Sequence, residues 1–336
     1  MRMMVTGAAG FIGLNTVREL VRRGVCVYAV THHRRHPELT GLAESGALHL
    51  LQADLSDMTY MRAVFATCPA LDAVIHCAGR ASDVGWACEF RKANYESVVN
   101  LGTFCQESEV GRFVFVSTTD VYGLRDFHGE TEDDLPSDES ARNSYPHFKI
   151  LAEKWLRANL PAERYAIIRP AAVWGEGDPT LTPRFRAFLA TSPFIIHFGP
   201  WRGRNRWPLA HVRTVAIANY LAAVRPEATG QAINVLDSAH TSIEQFYRQV
   251  AAQYFPNRRF RSVTLPYGFG AVLGGIVSGV STLLNLSHPF TDPSLYALRS
   301  VSHNLDFSNA RLRSLFSCSG ETIPERDRSP LTTDPP

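Results

Sequence analysis

The 336-residue chain lacks the sequence features of several protein classes. Its six cysteines include no CxxC pair, which argues against a disulfide framework or a zinc site. Its net charge of +2, without basic runs interleaved with aromatic residues, argues against binding to nucleic acid. Its twelve histidines show no HExxH or comparable ligand spacing, so we predict no metal site. The remaining composition, 45% hydrophobic and 20% charged, is that of an ordinary globular protein.

Targeting signals are also scarce. The first residues, MRMMVTGAAG, run directly into a glycine-rich motif, which leaves no room for a signal peptide. Together with the scattered cysteines, this predicts a cytoplasmic protein. Residues 262–291 contain no Asp, Glu, Lys or Arg, but five glycines and Pro266 argue against a membrane span. We expect this segment to pack within a substrate-binding lobe, and peripheral contact with a membrane is the alternative.

Short apolar segments alternate with helical patterns in the first half of the chain. After the first segment, apolar residues recur at helical spacing over residues 12–23. This alternation is typical of parallel βαβ units, so we predict an α/β fold of the Rossmann type, with a doubly wound parallel sheet of six or seven strands. The predicted strands cover residues 3–6, 25–30, 47–51, 73–76, 112–117 and 165–169.

The regular alternation stops after Pro170, where Gly, Pro and Trp become frequent. We therefore predict a dinucleotide-binding domain at residues 1–170, which the chain rejoins at about residues 207–236. A smaller C-terminal substrate lobe is predicted from residues 171–206 and 237–318. Residues 319–336, rich in Pro, Thr and charge, are predicted to form a loose tail.

Three glycines, Gly7, Gly10 and Gly13, lie between the first strand and the first helix. A tight turn, a close approach of the backbone to phosphate and the positive end of the helix all favour a dinucleotide pyrophosphate there. Phe11 and Ile12, within the same turn, are predicted to contact the cofactor as well. The spacing is GxxGxxG, and a turn required only for packing is the alternative.

The end of the second strand carries no acidic residue. A site that prefers NAD usually has a carboxylate there for the ribose 2′-hydroxyl, whereas this chain continues as Thr-His-His-Arg-Arg. Arg34 and Arg35 are suited to a 2′-phosphate, so we predict NADP(H) in preference to NAD(H); a solvated surface loop is the alternative. Asp54 and Leu55, after the third strand, are candidates for contact with the adenine.

Tyr145 and Lys149 are four residues apart and would share one face of a helix. An adjacent ammonium would stabilise the phenolate and lower the pKa of Tyr145, which could then exchange a proton with a substrate hydroxyl. A YxxxK spacing also arises by chance on amphipathic helices.

Six motifs in order along the first 180 residues remove that ambiguity. They are TGAAGFIG, ADL at residues 53–55, HCAG at 76–79, VSTTDVYG at 116–123, YPHFK at 145–149 and IIRPAAVWGEGD at 167–178. Together they resemble the extended short-chain dehydrogenase/reductase family, which also contains nucleotide-sugar epimerases and dehydratases. The resemblance implies an NAD(P)-dependent enzyme, usually a homodimer formed through two sheet-flanking helices of each protomer.

The same resemblance assigns roles to individual residues. Thr118 takes the position of the catalytic Ser/Thr that binds the reacting oxygen, Tyr145 that of the acid/base, and Lys149 that of the residue that holds the nicotinamide ribose. Further matches to cofactor-binding positions are Ala78, Gly79, Pro170 and Val173.

The branch of the family is less sharply indicated. The 4,6-dehydratases carry an Asp-Glu pair after the catalytic Thr, whereas this chain has Thr119 and Asp120, which argues against dehydration. YPHFKILAEKWL and the C-terminal segments resemble 3β-hydroxysteroid and sterol dehydrogenases, which implies a hydrophobic 3-hydroxy or 3-keto substrate. A nucleotide-sugar epimerase or reductase and a non-catalytic dinucleotide sensor are the alternatives. Arginines at 202, 204 and 206 could hold an anionic substrate group, or form a basic surface loop.

Overall fold

The strands of the protein were located in a computed structural model, which describes residues 1–34, 36–82, 85–141, 143–237, 240–284 and 294–324. They are β1 (Arg2–Thr6), β2 (Cys26–Thr31), β3 (Leu48–Gln52), β4 (Ala73–His76), β5 (Arg112–Val116), β6 (Phe127–Glu130), β7 (Tyr165–Pro170), β8 (Ala172–Trp174), β9 (Phe194–Phe198), β10 (Leu209–His211), β11 (Ala232–Val235), β12 (Arg261–Leu265) and β13 (Leu305–Phe307).

The helices alternate with these strands through the first half of the chain. They are α1 (Phe11–Arg22), α2 (Pro37–Glu44), α3 (Met58–Phe65), α4 (Ala87–Arg91), α5 (Ser97–Glu107), α6 (Ser144–Asn159), α7 (Leu181–Thr191), α8 (Val212–Val224), α9 (Ile243–Tyr254), α10 (Tyr267–Leu283), α11 (Leu295–Ser302) and α12 (Ala310–Cys318). A π-helical turn, Lys92–Glu96, joins α4 to α5.

Seven parallel strands form the central sheet, in the order β11-β7-β5-β4-β1-β2-β3. The prediction of a Rossmann-type parallel sheet is confirmed, and each of the six predicted strands lies within a residue or two of its observed position. The seventh strand, β11, returns to pair with β7 after the chain has left the sheet. The sheet therefore has one long edge at which the carboxyl ends of all seven strands meet.

Side chains of the central strands alternate between two cores. In β1, Met3 and Val5 enter the core on one face of the sheet, whereas Met4 enters the core on the other face. Both cores are apolar, because a parallel sheet covered by helices on both faces is buried on both sides. The first core includes residues of α1 and α8, and the second includes residues of α5 and α6.

Short parallel strand pairs build the remainder of the molecule. β8 pairs with β10, β9 with β12, and β6 with β13. The last pair joins residues 127–130, which were predicted to belong to the dinucleotide-binding domain, to residues near the C-terminal end of the substrate lobe. The two parts of the chain are therefore interleaved.

The chain after α12 differs from the predicted loose tail in its first residues. Glu321 pairs with Arg23 of α1 at 2.7 Å, and Arg225 donates to the hydroxyl of Ser319 at 2.8 Å. Ile323 packs against the main core. These contacts hold residues 319–323 on the protein, which corrects the prediction there; residues 325–336 lie outside the described part.

The charge-free segment also departs from its predicted environment. α10 covers most of residues 262–291, but its large apolar side chains are exposed rather than packed within the lobe. The reason is that its small residues face the protein: a Cβ on Gly270 would lie 2.6 Å from Phe198. No helix in the described ranges has the length and apolar character needed to cross a membrane.

A buried ion pair joins α6 to the sheet. Arg169, at the end of β7, donates two hydrogen bonds to Glu153 of α6, and both side chains are at most 5% exposed. Ser117 donates to the same carboxylate at 2.6 Å. Burial alone would raise the pKa of Glu153, but Arg169 and the hydrogen bonds that Glu153 accepts lower it overall. Glu153 is therefore ionised and fixed at the end of β5 and β7.

The ion pair extends to the returning strand. Arg169 also donates to the Tyr122 hydroxyl at 2.7 Å, and Tyr122 donates to Asn234 of β11 at 2.8 Å. The backbone N–H of Asn234 in turn donates to the carboxylate of Glu132 at 2.7 Å. One continuous network thus connects α6, the strands β7 and β11, and the segments after β5 and β6.

We predict that Glu153→Gln lowers the free energy of unfolding by about 3 kcal/mol, because it leaves the Arg169 guanidinium buried without its counter-charge. Arg157→Gln is the matched control, since Arg157 approaches the same carboxylate only at 3.8 Å and from an exposed position. Its cost should stay below about 1 kcal/mol. Urea unfolding followed by circular dichroism measures both values, and equal values would show that the buried pair is not stabilising.

Candidate active site

The residues predicted to bind the cofactor lie at the carboxyl ends of four adjacent strands. β1 leads into Gly7, β4 into Ala78 and Gly79, and β5 into Thr118, while Pro170 ends β7. Because these strands are neighbours in one parallel sheet, the four segments share one edge. This edge is the position at which open α/β sheets bind ligands.

The glycine turn is built so that backbone can approach a ligand. Gly7 has φ +66°, and a Cβ there would lie 2.7 Å from the backbone of Ala78. A Cβ on Gly13 would collide with the carbonyl oxygen of Gly7. α1 begins at Phe11, so the N–H groups of its first turn point outward without intrahelical acceptors, and no acidic side chain lies among them. This turn fits the pyrophosphate of a dinucleotide.

Basic side chains follow β2, directly beside the glycine turn. The N–H of Ala8 donates to Val30 at 3.1 Å, which fixes the turn against the end of that strand. Arg34 is exposed, and the rings of His32 and His33 lie at a tilt of 35° with centroids 3.6 Å apart. Arg35 lies outside the described residues. The first residues after β2 thus offer a guanidinium and two imidazoles, without a carboxylate among residues 32–34.

Asp54 is held by its own turn. One carboxylate oxygen accepts hydrogen bonds from the N–H and the hydroxyl of Ser56, at 2.9 and 2.8 Å. The other oxygen lies 3.5 Å from His32, which brings the ends of β2 and β3 together. Burial opposes the change, but these hydrogen bonds and the neighbouring histidines lower the pKa of Asp54. Asp54 remains half exposed at this edge, and Leu55 beside it is buried.

Tyr145 and Thr118 come together from α6 and the end of β5. Tyr145 is the second residue of α6, where the side chain of Asn143 caps the helix by accepting the Tyr145 N–H at 2.9 Å. Its phenol lies close enough to the side chain of Thr118 for Thr118 to act on its pKa. Thr118 also accepts the N–H of Asp120 at 3.2 Å, which orients its hydroxyl. A carbonyl oxygen placed between these two hydroxyls would meet two donors.

Lys149 lies one helical turn beyond Tyr145 and is buried. Its ammonium donates to the carbonyl oxygen of Val116 at 2.7 Å and sits 4.6 Å from the ring centroid of Phe115. A Cβ on Gly79 would be 3.4 Å from the ammonium, so Lys149 reaches the cofactor loop after β4. Burial lowers the pKa of Lys149 to about 8.

The predicted lowering of the Tyr145 pKa by Lys149 is wrong for this arrangement. Burial raises the pKa of Tyr145, and the carboxylate of Asp120 raises it further, whereas the nearby side chain of Thr118 lowers it. The Lys149 ammonium is directed to the carbonyl of Val116. Tyr145 therefore holds its proton, which suits it to donate a proton to a substrate oxygen.

Asp120 is a member of the site that was not predicted from the sequence. Its carboxylate accepts a hydrogen bond from the phenol of Tyr296, the second residue of α11. Burial raises the pKa of Asp120, opposed by the hydrogen bonds with Tyr296 and Thr118. The position of Asp120 two residues after Thr118 was the only signal in the sequence; the partner on α11 is 176 residues away. The pair brings the C-terminal lobe to the reacting groups.

Two further segments of the predicted site are the loop after β4 and the short strand β8. The amide of Asn94, in the π-helical turn, accepts the N–H of Arg80 at 2.8 Å and donates to its carbonyl at 3.0 Å. It thereby holds the loop that carries Ala78 and Gly79. Val173 lies in β8, which pairs with β10 directly after β7 has ended at Pro170.

The basic loop before β10 is only partly available for an anionic ligand. Arg206 pairs with Asp306 at 2.7 Å, and the indole N–H of Trp201 donates to Asp126 at 3.0 Å. Arg202 and Arg204 are exposed. Across the described segments, no group of three or more His, Cys, Asp or Glu side chains is placed to hold a metal ion.

Comparison with known proteins agrees with this geometry. Residues 3–235 match the model of the NAD dependent epimerase/dehydratase family. The chain is 28% identical over 281 residues to a 2-alkyl-3-oxoalkanoate reductase of Stenotrophomonas maltophilia, covering 81% of this chain and 82% of that protein. It is also 28% identical over 278 residues to a 3 beta-hydroxysteroid dehydrogenase/Delta 5-->4-isomerase of Mycobacterium tuberculosis, covering 77% and 71%.

A solved structure shows the same fold. The UDP-glucose 4-epimerase of Thermotoga maritima, crystallised with UDP-glucose, superposes with a TM-score of 0.65 at 22% identity, over 79% of this chain and 86% of that one. The family model and these relatives define an NAD(P)-dependent oxidoreductase of the extended short-chain type. The chain belongs to the NAD dependent epimerase/dehydratase family.

We predict that Gly7→Ala abolishes cofactor binding, because the new Cβ meets the Ala78 backbone in the turn that would hold the pyrophosphate. Gly24→Ala is the matched control: Gly24 has φ +72°, and nothing lies within 4 Å of the position that a Cβ would take there. Both variants should lose about 1 kcal/mol of stability from left-handed backbone strain, and Gly7→Ala should lose more because its Cβ also meets the Ala78 backbone. Fluorescence titration with NADPH and NADH separates them, and similar affinities for the two variants would contradict the assignment of the turn.

Proposed function

We propose that this protein is an NADP(H)-dependent oxidoreductase that interconverts a secondary alcohol and a ketone on a hydrophobic 3-hydroxy or 3-keto substrate. The observation that carries the proposal is the Tyr145 phenol close to Thr118, with the Lys149 ammonium one helical turn away, at the carboxyl edge of the sheet. In the direction of reduction, NADPH would supply a hydride to the carbonyl carbon from C4 of its nicotinamide.

The protein's own groups would manage the oxygen of the substrate. Thr118 and Tyr145 would bind the carbonyl oxygen, and the Tyr145 phenol would pass its proton to that oxygen as the carbon–oxygen π bond breaks. Because the pKa of Tyr145 is raised, the phenol is protonated at neutral pH before the substrate oxygen takes up the proton. Lys149, whose ammonium lies near Gly79, would donate hydrogen bonds to the nicotinamide ribose.

The substrate class rests on the relatives and on the position of the lobe. Both relatives named above act, by their names, on oxoalkanoates or hydroxysteroids, which are largely apolar molecules with an oxygen at a 3-position. In this chain, α11 reaches the site through Tyr296. This lobe would therefore close the substrate pocket next to Asp120.

The cofactor preference rests on the groups that follow β2. Arg34, His32 and His33 follow the second strand directly, and this loop lacks the carboxylate that favours a free ribose hydroxyl. A guanidinium forms charge-assisted hydrogen bonds with phosphate, which are stronger than neutral ones. We propose NADP(H) on this basis.

One other function has specific support, and a non-catalytic role is distinguished from it by a variant. A nucleotide-sugar epimerase or reductase is favoured by the exposed Arg202 and Arg204, which could bind a pyrophosphate. Protection of the protein from thermal unfolding by UDP-glucose would favour this function over a hydrophobic ketone. A non-catalytic dinucleotide sensor would retain its biological activity in a Tyr145→Phe variant.

We predict turnover of an apolar ketone in a panel of steroids, 3-oxoacyl compounds and nucleotide-4-ketosugars with NADPH. Tyr145→Phe should lower kcat by roughly 100-fold or more, because it removes the proton donor, while NADPH affinity stays within about twofold. Tyr60→Phe, at an exposed position on α3, is the matched control and should leave turnover unchanged. Full activity of Tyr145→Phe would exclude the proposed chemistry, and turnover of the ketosugars alone would favour the second function.

We predict that Arg34→Ala weakens NADPH binding about tenfold and leaves NADH binding unchanged, because only NADPH carries the 2′-phosphate. Arg62→Ala is the control, since this exposed arginine pairs with Glu107 on the outer helices of the same domain. Equal losses for NADPH and NADH in Arg34→Ala would overturn the cofactor preference without affecting the assignment of the fold. Fluorescence titration with each cofactor makes the comparison.

A further inference from the structure

The orientation of α10 is the reverse of that of an ordinary surface helix. Six of its large apolar side chains lie within an arc of about 100° at 3.6 residues per turn, and this arc faces outward. They are between 43% and 81% exposed: Phe269, Val272, Leu273, Ile276, Val280 and Leu283. Leu284, directly after the helix, is 60% exposed as well.

The opposite side of α10 is occupied by small residues in close contact with the protein. Gly270 lies against Phe198 of β9 and Leu298 of α11, with no room for a Cβ. Farther along, the hydroxyl of Ser278 accepts the N–H of Leu295 at 2.8 Å. The glycines of the outer side, Gly268, Gly275 and Gly279, have open space around them. α10 is therefore fixed with its bulky apolar side outward, and monomeric proteins rarely expose a continuous apolar patch of this kind.

The sequence that leads into α10 carries charged side chains of one sign. From Gln245 to Thr291 the sequence has no Asp or Glu, but it has four arginines. Arg248 and Arg258 are engaged with Glu244 and with carbonyl oxygens of residues 189–192, respectively. Arg259 and Arg261 are exposed, just before and at the start of β12, which ends two residues before α10 begins. Exposed Arg202 lines one cavity with Leu265 and Pro266 at the same end.

We propose that α10 is a membrane-docking helix that lies in the interface of an anionic lipid bilayer. Its apolar side would enter the boundary between headgroups and acyl chains, while Arg202, Arg259 and Arg261 would contact lipid phosphates near its N-terminal end. At about 25 Å long, the helix can lie in the plane of the interface along its whole length.

A second copy of the chain is the competing occupant, and the charges disfavour it. A two-fold contact places the same patch on both subunits. The exposed arginines of one copy would then face a segment that also has no carboxylate between residues 245 and 291. An anionic bilayer would bury the apolar side of α10 among acyl chains and would pair these arginines with lipid phosphates.

The site of docking also suggests a route for the substrate. α10 packs on α11, and α11 carries the Tyr296 that reaches Asp120. One helix thus separates the lipid surface from the reacting groups, and an apolar ketone could enter from the bilayer. This route rests on the proposed function, whereas the membrane contact does not.

Co-sedimentation with extruded vesicles tests the contact without any measurement of turnover. The full chain should bind vesicles of phosphatidylcholine with phosphatidylglycerol and bind pure phosphatidylcholine vesicles less, with the difference lost in high salt. Val272→Ser combined with Ile276→Ser should weaken binding about tenfold or more, because it removes apolar contact. Both side chains are exposed, so the fold, checked by circular dichroism and melting temperature, should be unchanged.

Two further variants make the test specific. Arg259→Gln combined with Arg261→Gln should weaken binding to the anionic vesicles only. Leu50→Ser combined with Tyr60→Ser removes two exposed apolar side chains of the dinucleotide-binding domain and should leave vesicle binding intact. Vesicle binding that is unchanged in the α10 variant would overturn the proposal. So would a protein that ignores vesicles but forms a dimer, measured by light scattering, that Val272→Ser and Ile276→Ser dissociate.

Discussion

The ion pair between Glu153 and Arg169 is the constraint on which the site depends. Tyr145, Lys149 and Glu153 are spaced four residues apart and so lie along one face of α6. Because Glu153 is fixed by two hydrogen bonds to Arg169 and one from Ser117, the helix cannot rotate about its axis without leaving two buried charges unpaired. The same anchoring therefore sets the direction of the Tyr145 phenol and the depth of the Lys149 ammonium.

The buried environment that makes this anchor strong also sets the protonation of the reacting groups. Burial lowers the pKa of Lys149 to about 8 and raises that of Tyr145, so both groups are displaced toward their neutral forms. Asp120 adds to the effect on Tyr145, and its own pKa is raised by burial. Lys149, with a pKa of about 8, still carries most of its charge at neutral pH, and Glu153 and Arg169 keep their charges because each is the partner of the other. The site thus combines a charged structural pair with a buried ammonium and a protonated phenol.

Much of the sheet and of the candidate active site was predictable from local sequence. Strand positions, the glycine turn and the spacing of Tyr145 and Lys149 follow from patterns a few residues long, and the family motifs place Thr118 beside them. The contact between Asp120 and Tyr296 was not predictable, since it joins residues 176 positions apart through the packing of a separate lobe. The pKa of Tyr145 was predicted in the wrong direction, because the pattern shows that an ammonium is near but not how deeply the phenol is buried or what else the ammonium binds.

The orientation of α10 shows a further limit of reasoning from composition. A segment without charges is compatible with burial, and residues 262–291 were expected to pack within the lobe. Packing on the protein, however, required a close approach of backbones, which only the side with Gly270 and Ser278 allows. That approach brings α11 into position for Tyr296 to reach Asp120. Because the small residues occupy the inner side of α10, its bulky side chains point outward and are exposed. The packing that brings α11 to the active site thus also leaves an apolar surface on the outside of the lobe.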